Sequence, residues 1–148
     1  MIKILELFGG IGACSKALER LKIPYEIADY VEIDKYAVAS FNAIHNTNFE
    51  PQDICKWDKD IEVDLIMHGS PCQDFSIAGK QKGFNDIRGT LFFDICRIIK
   101  DKKPNIVILE NVKNLVIHNK GKSFKIILQH LKELGYNVSY KVLNAVDF

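Results

Sequence analysis

Lys3-Ile4-Leu5-Glu6-Leu7-Phe8-Gly9-Gly10-Ile11-Gly12-Ala13-Cys14-Ser15-Lys16-Ala17-Leu18 opens the chain and decides its fold class. Lys3–Phe8 is a short apolar run that reads as a buried strand, and the glycines Gly9, Gly10 and Gly12 read as a tight turn. Cys14, Ala17, Leu18 and Leu21 then recur at helical spacing. A strand, a glycine turn and a helix in that order form the first half of a βαβ unit.

The alternation continues outward from this unit. A second strand is expected from about Tyr25 to Ile33. Asp34 should cap a helix whose apolar face is Ala37, Val38, Phe41 and Ile44. A third strand is expected before Asp53, and Leu65–Met67 reads as another short one. Leu91, Phe92, Ile95, Ile98 and Ile99 mark an amphipathic helix that stops before Pro104. The continuous run Ile106–Leu109 predicts a central parallel strand buried on both faces. Phe124, Ile127, Leu128, Leu131 and Leu134 give a further helix ended by Gly135, and Val138–Leu143 alternates as a final strand. The order implies an α/β fold, a parallel sheet with helices on both faces. Segment 69–89, with Gly79, Gly83 and Gly89, reads as a long loop, which inside a compact domain is uncommon unless it is functional.

Composition narrows the class. The 148 residues are 47% hydrophobic and 26% charged, the balance of a globular domain with a core. No apolar run approaches the ~20 residues of a membrane span, and Glu6 interrupts a start too short for a signal peptide, so a cytoplasmic protein is expected. Cys14, Cys55, Cys72 and Cys96 form no CxxC pair, which argues against a disulfide framework or a metal site. Residues 78–125 hold eleven Lys/Arg against four Asp/Glu, a local balance of +7 that leaves −6 for the rest of a chain with net charge +1. A face for a polyanion and a solvated lysine-rich surface explain this asymmetry equally well.

Two places carry candidate chemistry. Glycines at a strand-to-helix turn let backbone approach a ligand, and Glu32, twenty residues after Gly12, stands where nucleotide-binding folds put an acid for ribose hydroxyls. Asp53 is placed to accept from an adenine amino group, with Phe8 and Ile33 about the ring. The turn is not GxGxxG, so adenosine without a pyrophosphate fits better than a dinucleotide, and a plain tight turn beside a surface glutamate remains open. The second place is Gly69-Ser70-Pro71-Cys72-Gln73. It sets a cysteine just after a strand, near Lys80, Lys82 and Arg88, whose field favours a thiolate, although on composition alone a lone cysteine there is more often structural. Thirty-eight residues on, Glu110 ends the run Ile106–Leu109. In open parallel sheets ligands bind beyond the carboxyl ends of strands, so Cys72 and Glu110 should face one crevice. Emerging from an apolar strand, Glu110 should be hard to ionise and able to donate or share a proton, and a glutamate that only caps the following turn is the other reading.

These stretches resemble the cytosine-5 DNA methyltransferase family, of the bacterial or phage restriction–modification kind. The matching segments, in the family's order, are ELFGGIGACSKAL (6–18), VEIDKYA (31–37), Asp53-Ile54, GSPCQDFSIAGKQKGF (69–84), RGTLFFDI (88–95), PNIVILENVKNL (104–115) and KVLNAVDF (141–148). PCQ followed by ENV in this layout is highly specific. The resemblance implies a Rossmann-like, S-adenosylmethionine-dependent methyltransferase fold. It also implies methyl transfer to carbon 5 of a cytosine flipped out of double-stranded DNA. By similarity Cys72 is the nucleophile that adds to carbon 6, and Glu110 engages ring nitrogen 3 and the exocyclic amine. Arg88 contacts the flipped nucleotide, Asn111 orients the site, and the loop 73–89 closes over the base. Gln73 and Ser76 then lie near the vacated space and phosphate, with Lys80 and Lys82 beside DNA. For the cofactor, Phe8, Glu32, Ile33, Asp53 and Ile54 carry over, with Gly9, Gly10, Ile11, Gly12, Pro71 and Leu91 about the methionine end.

Two departures stand out against the family. Glu6 replaces the aspartate of many relatives, and Phe148 falls inside the next motif, before the Gln-Arg-x-Arg segment and the target recognition region. Residues 1–148 are therefore expected to be the N-terminal part of a catalytic domain, C-terminally incomplete and inactive alone, whether a truncated piece, one subunit of a split enzyme or a decayed remnant; its uncovered apolar edges suggest a second chain or self-association. The alternatives are a relative that methylates cytosine in tRNA and a non-catalytic module that holds S-adenosylmethionine or DNA.

Overall fold

The computed structural model describes residues 1–70 and 91–147. Four strands form one parallel sheet: β1 (Ile2–Leu7), β2 (Tyr25–Val31), β3 (Leu65–Gly69) and β4 (Ile106–Glu110), in the spatial order β2-β1-β3-β4. The helices are α1 (Ala13–Arg20), α2 (Lys35–His45), α3 (Leu91–Lys102) and α4 (Lys122–Glu133). One-residue alternation along β1 decides which helices cover which face. Leu5, Leu7 and Ile66 pack with Phe92, Ile95, Ile98 and Ile99 of α3 and with Ile127 and Leu131 of α4. On the opposite face Ile4, Leu65 and Met67 pack with Leu18 of α1, and Tyr30 packs with Val38 and Phe41 of α2. The sheet is thus sandwiched between helices, as the alternating sequence pattern requires.

Local chemistry explains the boundaries. The Asp34 carboxylate accepts from the Tyr36 amide at 2.8 Å and starts α2. Lys103, in the left-handed region just before Pro104, follows the last turn of α3. Gly135, with φ +95°, closes α4 by donating to Lys132 O at 2.9 Å.

Three expectations need correction. The run Ile106–Leu109 is not a central strand buried on both faces: β4 ends the described sheet, and Ile106 and Ile108 are 56% and 45% exposed. Val107 and Leu109 reach the main core, whereas α1 and α2 pack on the other strands and not on Ile106 and Ile108. Val138–Leu143 is irregular and not a strand, because alternation supplies a face but no ladder partner. It packs through Tyr140, edge-on to Phe124 at 4.7 Å. The strand expected directly before Asp53 is not there; residues 47–53 are irregular, and the Asp53 carboxylate instead caps a short 3₁₀ turn, Ile54–Lys56.

Candidate active site and cofactor site

At the carboxyl end of β1 the chain turns sharply. Phe8 takes φ +53°, a left-handed conformation that a bulky side chain rarely adopts, while its amide donates to Val31 O at 2.8 Å. Strain of this sort persists where the surroundings over-determine it and clusters at functional sites. Gly10 and Gly12 also have positive φ. A Cβ on Gly12 would lie 2.2 Å from His45 Nε2 and 2.7 Å from Phe41 Cε2, whereas one on Gly10 would meet nothing within 4 Å. Gly12 is therefore required by packing, and Gly10 faces open space.

The turn is tied to the ends of the neighbouring elements. The Tyr30 hydroxyl donates to Gly10 O at 2.6 Å, and the Gly10 amide donates to Glu32 Oε2 at 3.3 Å. Glu32 Oε1 accepts from the Asp34 amide at 3.0 Å, which fixes the carboxylate at the tip of β2. The Gln52 amide donates to Glu32 O at 2.8 Å, so Asp53, the next residue, is brought beside Glu32 although twenty-one positions separate them. Ile11 and Ile33 are exposed; Phe8 and Leu91 are partly buried against the same apolar cluster. The Ile54 side chain, expected at the cofactor, lies in that cluster with Trp57 and is a core residue.

The second constellation lies at the ends of β3 and β4. Gly69 and Glu110 are register partners, and a Cβ on Gly69 would stand 3.2 Å from Glu110 Oε2. Glycine at 69 thus makes room for the carboxylate. Asn111 Nδ2 donates to Ser70 O at 3.0 Å, and Asn111 Oδ1 accepts from the Val112 amide at 2.9 Å. This pair of bonds ties the residue after Glu110 to the residue two before Cys72. Glu110 itself is exposed, against the expectation of a carboxyl enclosed by apolar strand, because it ends an edge strand. Pro71, Cys72, Gln73, Ser76, Lys80, Lys82 and Arg88 lie outside the described residues.

Beneath both places sit groups to which the sequence reading gave no role at the site. Glu6 is buried; its Oε1 accepts from the Ser15 amide at 2.8 Å and from the Ser15 hydroxyl, its Oε2 has no partner, and burial raises its pKa. His68, on β3, is buried with neither ring nitrogen partnered, and desolvation lowers its pKa to about 4. Burial first, then the charges of Glu6 and Glu110, raises the Cys14 thiol to about 11. Only Gly69 had a readable signal, a glycine between an apolar strand and Ser-Pro-Cys. Among the described residues no cluster of His, Cys, Asp or Glu could hold a metal ion, Cys14, Cys55 and Cys96 are free thiols, and no helix is long and apolar enough to cross a membrane.

Comparison with known proteins agrees with this geometry. The orphan methyltransferase M.SPRI of Bacillus phage SPR is 44% identical over 99% of this chain and 34% of its own length. The type II methyltransferase M.NlaX of Neisseria lactamica is 47% identical over the whole of this chain and 48% of its own. The chain therefore spans a third to a half of these curated relatives. A solved DNMT2 mutant from Spodoptera frugiperda superimposes with a TM-score of 0.70 at 29% identity, over 90% of this chain and 41% of that one. The family model described as C-5 cytosine-specific DNA methylase matches residues 2–148, and the chain belongs to that family.

Proposed function

We propose that this chain supplies the cofactor-binding and nucleophile-bearing half of an S-adenosylmethionine-dependent DNA (cytosine-5) methyltransferase. The observation that carries the reading is the junction of β3 and β4. Glu110 stands over Gly69, and Asn111 grips Ser70, two residues from Cys72. A nucleophile and a carboxyl group are needed together, because carbon 5 of cytosine is not nucleophilic until a thiolate has added to carbon 6.

In this reading the Cys72 thiolate forms a bond to carbon 6, and the electron pair moves onto carbon 5. Glu110 engages ring nitrogen 3 and the exocyclic amine, which stabilises the adduct. S-adenosylmethionine, when bound, supplies an electrophilic methyl group on a sulfonium. Once carbon 5 carries that methyl group, loss of its proton and expulsion of the Cys72 thiolate restore the ring. The target base must leave the duplex stack for this chemistry, and Arg88, Gln73, Ser76, Lys80 and Lys82 are the candidates to hold the nucleotide and strand.

The residues of the first turns fit the cofactor. Gly10 opens onto space that a side chain would fill. Glu32 is already oriented by two backbone amides, and a carboxylate retains acceptor capacity for two ribose hydroxyls. Asp53 is held beside it through Gln52, in place to accept from an exocyclic amine. Phe8 and Ile33 are the candidates to flank the ring.

The test is covalent trapping by the protein at its native length on an oligonucleotide carrying 5-fluorocytosine, from which the carbon-5 fluorine cannot leave as a cation. A denaturation-resistant adduct that needs S-adenosylmethionine and disappears in Cys72→Ser is expected. Its absence overturns the mechanism. An adduct on 5-fluorocytosine RNA but none on DNA reassigns the substrate to the RNA-modifying branch.

A further inference from the structure

The turn that carries Asp53 is bolted down chiefly by Asp29 and Arg97, which belong to none of the motifs above. Asp29, buried in β2, accepts from three side chains of the segment that follows α2. These are Gln52 Nε2 at 3.0 Å, Trp57 Nε1 at 2.7 Å and Lys59 Nζ at 2.9 Å. Gln52 Nε2 also donates to Tyr30 O at 2.7 Å. From the other side, Arg97 of α3 spreads its guanidinium across the turn. Nη2 donates to Ile54 O and Nη1 to Trp57 O, both at 2.9 Å, while Nε is 3.3 Å from Asp94 Oδ1. Asp94 Oδ2 in turn accepts from the Cys55 thiol at 3.4 Å. The two carbonyls that Arg97 binds bracket the 3₁₀ turn whose cap is Asp53.

We infer that Asp29 and Arg97 are positioning residues for recognition of the adenine ring. Together they fix where Asp53 presents its carboxylate. The inference rests on the reading of Asp53 given above. The physical argument is one of rigidity. Asp53 uses Oδ1 to hold the Cys55 amide at 3.0 Å, so its carboxylate orientation is set by the turn and not by packing of its own. A three-residue turn has few bonds with which to hold itself, and its carbonyls would otherwise point to water. A planar fork with fixed donors answers two carbonyls at once, which a lysine ammonium cannot do in the same geometry. The buried Asp29 carboxylate is compensated by three donors that all come from the same segment, so ordering that segment and burying Asp29 require each other. Because α3 begins at Leu91, the same helix links the turn to the methionine end of the expected site.

The experiment compares equilibrium binding of S-adenosylhomocysteine with that of its inosine counterpart, in which the 6-amino group is an oxo group. It uses the protein at its native length. Loss of one positioned hydrogen bond is worth roughly a tenfold change in affinity. The native protein and Arg97→Lys, Arg97→Gln and Asp29→Asn are measured beside Asp53→Ala and Glu32→Ala. The expected result is that the Arg97 and Asp29 variants lose adenine preference as Asp53→Ala does, by roughly tenfold, while affinity for the inosine form stays near native. Glu32→Ala should weaken both ligands alike and keep the preference. Arg97→Lys is the mild variant should Asp29→Asn fail to fold. A lowered melting temperature with full adenine preference in the Arg97 variants overturns the inference and leaves them a purely structural role. If Asp53→Ala keeps native adenine preference, the reading of Asp53 falls, and the positioning role falls with it.

Discussion

Replacing Gly12 and Gly10 singly by alanine separates packing from ligand contact within one turn. At Gly12 the new methyl group would enter at 2.2 Å from His45 Nε2 and 2.7–2.8 Å from the Phe41 ring. His45 can swing away and surrender its 3.2 Å contact with Ile11 O. Phe41 cannot follow, because it is fully buried and stacked on Tyr30 at 3.8 Å. Overpacking of this kind costs about 1–3 kcal/mol. The left-handed φ of +84° adds about 1 kcal/mol once a Cβ is present. The sum, roughly 2–4 kcal/mol, lowers the melting temperature of a chain this long by roughly 5–15 °C. At Gly10 only the backbone term of about 1 kcal/mol applies, since a methyl group there meets nothing within 4 Å. That open space is where the cofactor is proposed to lie, so Gly10→Ala should weaken S-adenosylmethionine binding by roughly tenfold or more while remaining folded. Unfolding followed by fluorescence of Trp57, the single tryptophan and a buried one, reads the first quantity, and calorimetric titration reads the second. Undiminished binding by Gly10→Ala would refute the cradle. A Gly12→Ala protein as stable as Gly10→Ala would refute the packing argument.

Further outcomes follow from the buried polar groups and the β3–β4 junction. His68 has a pKa lowered to about 4 by burial, so the folded state binds fewer protons than the unfolded chain between pH 6.5 and about 4. The stability this depression represents is complete above pH 6.5 and falls as pH drops through that window, by roughly 3 kcal/mol. In His68→Leu the acid limb measured by urea unfolding should be shallower by about that amount, and an unchanged limb would show that other groups set it. Ser15→Ala removes a hydroxyl donor from the buried Glu6 carboxylate and should cost about 1–3 kcal/mol at neutral pH. Because burial raises the Glu6 pKa, the carboxyl group is protonated in acid, and the cost measured by thermal unfolding should shrink there. Asn111→Ala frees Ser70 and should slow adduct formation on 5-fluorocytosine DNA while leaving S-adenosylmethionine affinity within twofold. Equal loss in both assays would place Asn111 in general folding instead.

What the sequence reveals here depends on whether a signal is periodic or relational. Strand β1 was legible as a short apolar run buried on both faces and closed by glycines, and α1 because apolar residues recur at helical spacing after that turn. The run Ile106–Leu109 shows the limit of that signal. Its composition is that of a strand covered on both faces, yet a cover must come from another element, and hydrophobicity in one strand does not reveal whether a neighbour is present. Val138–Leu143 fails for the same reason in reverse: it alternates well, but a strand exists only where a partner accepts its hydrogen bonds. Glu32 and Glu110 were legible because strand ends in parallel sheets gather ligands, a rule about topology that applies to each strand separately.

The clamp on Asp53 was invisible for a deeper reason. Its donors and acceptors are separated by 23, 28, 40 and 43 positions, and no short-range pattern connects them. Asp29 reads as one polar residue in a strand, Arg97 as one exposed charge on an amphipathic helix, and Trp57 as one aromatic residue in a polar segment. Only the folded chain shows that they answer one another around a turn with few bonds of its own. If Asp53 is the proposed adenine acceptor, support of this kind should tolerate change in its immediate neighbours better than change at distant supports. Cys55→Ala, next to Asp53 in space, removes only a 3.4 Å thiol contact and keeps the backbone amide that Asp53 holds. Arg97→Gln, forty-four positions away, removes both carbonyl contacts of the turn. Adenine preference should therefore survive Cys55→Ala and fall in Arg97→Gln, and the reverse order would mean that the turn is held from within.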